Sequence, residues 1–196
     1  TPEHIRQIKA ASRAEPMKAQ VSVRVPASQS PVPVQTPPLA TRSGLARALA
    51  EGRFVTSVEV LPPKGHELGD TLGHVRTFRG RGVDVALVPD GPRGARMSAL
   101  AVSALLTQQA GVEVVLQYSC RDRNLLGMQS DLLGAHAMGI RNLMLVTGDV
   151  RPVGDYPDAT AVFDIDSVGL VNVVRRLNEG LDIGGQPIGA PTGFHI

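Results

Sequence analysis

From residue 44 onward the apolar positions switch repeatedly between two periods. Spacing of three to four residues predicts helices over 44–51, 69–80, 99–110, 124–138 and 166–179. Short apolar runs between them predict strands over 54–61, 83–88, 112–118 and 140–147, and residue 193 begins another. VDVALV, VEVVLQ and LMLV show little alternation, the mark of strands buried on both faces. Ser98 is placed to cap the third helix and Gly111 to end it, while Asp122 is a candidate cap for the fourth. Strands alternating with helices of this length predict a parallel sheet covered by helices.

Two architectures satisfy that pattern. An open dinucleotide-binding sheet carries a Gly-rich turn after its first strand, but here Pro62, Pro63, Lys64 and Gly65 follow it. Polar groups instead recur at the ends of four successive strands: Glu59, Asp90, the run 119–122, and Thr147 to Asp149. Successive strand ends share one site when the sheet closes into a ring. The expected fold is therefore an α/β (β/α)8 TIM barrel, incomplete, with about five of its eight units in these residues. Such an open wall would expose apolar core and strand edges, so the piece alone is expected to be unstable or to aggregate.

Residues 2–14 suit a short helix, and 21–38 are rich in Pro. Repeated Pro removes backbone donors and fixes φ, so this stretch reads as an extended segment; a tail and an interdomain linker fit equally. The expected organisation is an N-terminal remnant at 1–20, a linker at 21–43 and a barrel segment at 44–196. Twenty Lys and Arg against 18 Asp and Glu give a net charge of +2, too even for a nucleic-acid footprint. No apolar run is long enough to span a membrane, and no leader pattern opens the chain. The single Cys120 fits a cytoplasmic setting, and no His or Cys stands at metal-ligand spacing, so no metal site is expected.

Two carboxylates stand out. Glu59 ends an apolar strand; desolvation there would favour its neutral form and make it a proton donor, while a partly exposed Glu paired with Lys64 fits as well. Asp149 follows Gly148, whose missing Cβ allows close approach of a flat ligand and puts a carboxylate near a developing cation. A turn or cap is the plainer reading. The crowded loop Arg121, Asp122, Arg123 and Asn124 reads as a solvated face or internal salt bridges, and Cys120 as a small buried hydrophobe. Asp90 and Gly91 open a turn signature.

Together the segments EVLPPKG, VPDGPRGARMS, YSCRDRNLLGMQSDLLGAHAMGIRN and LVTGDVRPVGDYPDATAVFDIDSVGL resemble the methylenetetrahydrofolate reductase family. They look most like bacterial proteins that join a homocysteine S-methyltransferase to this reductase, and TPEHIRQI is similar to the end of such a methyltransferase. The resemblance implies a TIM barrel holding FAD at the C-terminal strand ends, NADH or NADPH as co-substrate and a folate substrate. It implies that Glu59 is the general acid and that Asp149 stabilises the folate cation. It places flavin contacts at Val88, Gln117, Tyr118, Thr147, Gly148, Asp149 and an aromatic, Phe163 in preference to Tyr156. Val88, Gln117 and Thr147 replace the Thr, His and Arg of the better-known branch. A homo-oligomer is implied for the intact protein, with neither nucleic acid nor membrane as partner. Another barrel enzyme, or a non-catalytic fragment, remains the alternative; the former would need a Lys deep in a strand or a Gly-rich phosphate loop late in the chain, and none of these strands has an internal Lys.

Overall fold

The computed structural model describes residues 36–91, 94–149, 155–156 and 158–196. The expected N-terminal helix, and most of the Pro-rich stretch, lie outside them.

The described part of the linker is not loose. Residues Leu39–Thr41 form a 3-10 turn. Arg42 then donates to the Pro37 carbonyl at 2.9 Å and to the Phe194 carbonyl at 2.9 Å. Helix α1, Gly44–Ala50, starts at Ser43, whose side chain accepts from the Ala46 amide. Strand β1 is Ser57–Glu59, α2 is Gly69–Gly80 and β2 is Val85–Val88. Helix α3, Ala99–Leu105, runs into a π-helical turn at Leu106–Ala110 and ends at Gly111, which takes the left-handed conformation. Ser98 makes no side-chain cap. Strand β3 is Glu113–Ser119, α4 is Leu125–Ala137, β4 is Asn142–Val146 and α5 is Ser167–Asn178. The cap of α4 is Asn124, not Asp122, because Asp122 is held by the Arg121 guanidinium.

All four strands are parallel and lie in the order β1-β2-β3-β4. Sequential order without reversal is the winding of a barrel wall; an open dinucleotide-binding sheet reverses at a switch point. The next segment continues it: His195 bridges Asn142 in parallel, with the Leu143 amide donating to the His195 carbonyl at 2.9 Å.

Register sorts the side chains onto two faces, since laterally paired residues point the same way. One face carries Val60, Ala86, Val88, Val114, Leu116, Tyr118 and Leu143, packed with Val102, Met128, Leu132, Leu170 and Val174 from the helices. Each large aliphatic side chain buried there contributes about 1.5–3 kcal/mol. The other face carries the buried Val85, Ser119 and Asn142 together with Ser57, Glu59, Leu87, Val115, Gln117, Met144 and Val146, which are not fully buried. At its N-terminal end α1 covers it, where Glu113 accepts from the Leu45 amide at 3.0 Å and from Asn142 at 2.8 Å. Toward the C-terminal end it is open. Among the described residues, no helix is long and apolar enough to cross a membrane.

Candidate active site

The open face and the C-terminal strand ends meet at one rim. Glu59 is the last residue of β1 and pairs laterally with Leu87, which pairs with Val115. Gln117 lies two residues further along β3 on the same face and pairs with Met144. Glu59 is exposed, and no described residue engages its carboxylate. The apolar enclosure expected around it is therefore absent, and so is the pairing with Lys64.

Asp149 stands three residues beyond the end of β4 and is exposed. Its approach is set by Gly148, at φ 92°. A Cβ on Gly148 would lie 2.5 Å from the Ser119 hydroxyl and 2.9 Å from the Arg121 Cβ. Only Gly lets the end of β4 lie this close to the end of β3.

Arg121 occupies the centre of the rim. It makes a bidentate pair with Asp122 at 2.7 and 2.8 Å. That bond, with further attraction from Asp149 and Asp90, raises its pKa and keeps it charged. Its guanidinium also lies against Gly91, where a Cβ would stand 3.5 Å away.

Beneath it Arg123 reaches back into the wall. It pairs with Asp90 at 2.7 Å and Asp131 at 3.0 Å, and lies 4.5 Å over the Tyr118 ring. Asp90 also accepts from the Ser119 amide at 3.1 Å. The charged run is thus an internal salt-bridge network that braces the ends of β2 and β3. Asp90 is a structural brace where its sequence showed only a turn.

Three expected flavin contacts need correction. Val88 and Tyr118 are fully buried on the helix-covered face. Burial pushes the Tyr118 hydroxyl's pKa upward, and that hydroxyl donates to Asp131 on α4. The Thr147 hydroxyl accepts from the Ser167 amide at 3.0 Å, at the start of α5, whose N-cap is Asp166. None of these side chains reaches the open face. Cys120 is buried too, its thiol pushed up to about 11 by desolvation, as its reading as a small hydrophobe implied.

Phe163 is the one non-Gly residue at positive φ, 45°, among the described residues. It is pinned on both sides: the Val162 amide donates to the Arg121 carbonyl at 2.8 Å, and Asp164 accepts from the Leu125 amide at 2.8 Å. Strained backbone of this kind costs about 1–3 kcal/mol and persists where neighbours over-determine it.

A parallel sheet wound in sequence, with an open polar rim at its C-terminal strand ends, defines a barrel-type α/β enzyme. The chain belongs to the methylenetetrahydrofolate reductase family, whose model matches residues 44–188. The described sheet is an incomplete version of that family's TIM barrel. No curated protein matches the chain.

Proposed function

We propose that the protein reduces 5,10-methylenetetrahydrofolate to 5-methyltetrahydrofolate, with FAD as cofactor and NADH or NADPH as reductant. The observation that carries this reading is the placement of Glu59 on the open face at the C-terminal rim, on the face that also bears Gln117. The residues present fit a flavin. Leu87, Val115, Met144 and Val146 form an apolar shelf for a flat ring, and the Gln117 amide offers a donor and an acceptor beside Met144. Gly148, packed against Ser119 and Arg121, brings backbone rather than a side chain to the rim, and Phe163 is the aromatic candidate. Gln117, Gly148, Asp149 and Phe163 would hold the cofactor. When bound, FAD accepts a hydride from the nucleotide and passes it to the folate.

The chain's own groups do the proton and charge work. Glu59 gives a proton to the folate nitrogen as the five-membered ring opens to an iminium cation. A ring bound over Glu59 would exclude water from the carboxyl, which ties proton delivery to substrate binding. Asp149 places its negative charge at the rim where the iminium forms. Arg121 keeps that region from accumulating repulsion among Asp90, Asp122 and Asp149.

The family's setting supports a cytoplasmic, homo-oligomeric enzyme of methionine synthesis. The likeness of residues 1–20 to a methyltransferase end supports a bifunctional protein. The test is direct. Purified full-length protein should carry flavin absorbance and oxidise NADH or NADPH in a folate-dependent way. A colourless protein that folds and oxidises neither nucleotide would sink the proposal.

A further inference from the structure

A cavity of about 700 Å³ lies between the loops that follow β1 and β2, beside the rim. That volume is in the range of small-molecule sites. Its wall includes Leu61, Pro62 and Lys64 from the first loop, Asp90 and Arg96 from the second, and Tyr156. Arg96 donates to the Pro62 carbonyl at 2.7 Å, which ties the two loops together and fixes the guanidinium. Neither Lys64 nor Arg96 has an ion-pair partner among the described residues. Asp90 is already neutralised by Arg123. Among the described residues of the wall the other acid is Asp155, so two cations face one carboxylate that Arg123 does not hold. The cavity begins at Leu61, two residues past Glu59.

We propose that this cavity takes the anionic end of a substrate, a phosphate or carboxylate group, while its reactive ring lies over the open face at Glu59. Lys64 and Arg96 are the cations that receive it. The guanidinium fork of Arg96 has nitrogens to spare beyond its bond to Pro62, and it matches the oxygens of either group. The exposed Lys64 stem is long enough to fold onto a bound anion. The inference rests on the reductase reading: both co-substrates of that reaction carry their anions far from the reacting ring, as a pyrophosphate in the nucleotide and as glutamate carboxylates in the folate.

The experiment uses the full-length flavin-loaded enzyme with Lys64→Gln and Arg96→Gln, and Arg81→Gln as a control for lost charge at an exposed site away from the rim. The KM for the nucleotide is measured with an artificial acceptor, and the KM for the folate in the complete reaction. Inorganic pyrophosphate serves as a competing anion. Loss of one charged contact should raise one of these KM values about tenfold or more, with flavin content unchanged. A rise for the nucleotide, with weakened pyrophosphate inhibition, identifies the phosphate; a rise for the folate identifies the carboxylates. Both KM values within twofold of the parent in both variants would overturn this inference alone. A parent protein without flavin would overturn the reductase reading and this inference with it.

Discussion

Within β3, neighbouring residues meet opposite surroundings. Leu116 and Tyr118 are fully buried beneath helices, and Gln117 between them is half-exposed on the open face. At the end of β1 the contrast is the same, Glu59 exposed and Val60 just past it buried. One face therefore holds the wall together, and the other is available for chemistry. Stability and activity should separate along this division, residue by residue.

The sharpest separation is expected at Glu59. Glu59→Gln should lower folate reduction by about 10²–10⁴-fold, while nucleotide oxidation by an artificial acceptor stays near normal. Equal loss in both half-reactions would break the assignment. Next is Leu116→Ala, which should cost about 2–5 kcal/mol in urea unfolding, against less than about 1 kcal/mol for Met144→Ala on the open face. Equal costs would mean the open face is packed. Gly148→Ala adds a Cβ to a left-handed residue against the Ser119 hydroxyl, so about 1–3 kcal/mol of stability should be lost, with weakened flavin retention.

The smallest effect concerns His136. Its Nε2 accepts from the Gly193 amide at 3.0 Å, which only the neutral ring can do. Burial, then the nearby Arg141 charge, lowers its pKa from the ordinary 6.5. A depressed folded-state pKa means that the unfolded chain binds the proton first. The stabilisation is therefore complete above about pH 6.5 and is lost as pH falls toward the folded pKa. Unfolding free energy should drop between pH 7 and 5, and His136→Asn should flatten that slope. An unchanged slope would point to His195, whose pKa is lowered by burial and Arg42.

Periodicity located every helix from α1 to α5 within about two residues, α3 being counted with the π-helical turn that continues it to Ala110, because each buries one stripe against the sheet. Strand lengths were harder. Residues 54–61 read as one strand, yet only Ser57–Glu59 pair, since β1 has a single described partner and Phe54 is 85% exposed. A candidate's position was legible where it is local to a strand end, as with Glu59 at the end of β1, and poorly legible where it depends on which way a strand faces. VALV carries no alternation, so nothing in it reveals that Val88 turns toward the helices. Tyr118 misled for the same reason. Thr147 gave no sign that its hydroxyl would serve α5, which begins 20 residues later. Lys64 was read only as a partner for Glu59 and Arg96 went unnoticed, because they sit on separate loops, and only the tie from Arg96 to Pro62 brings those loops together.

The bond from Arg42 to the Phe194 carbonyl spans 152 positions. Its entropic cost grows only with the logarithm of that separation, so the tie is inexpensive once the intervening units are in place. It nevertheless cannot form until residue 194 has been made. At about 5–20 residues per second, a nascent chain spends several seconds with Arg42 outside the ribosome and no Phe194 to receive it. In that interval the α1 end of the sheet stays unlatched, and holding chaperones have their clearest opportunity to bind.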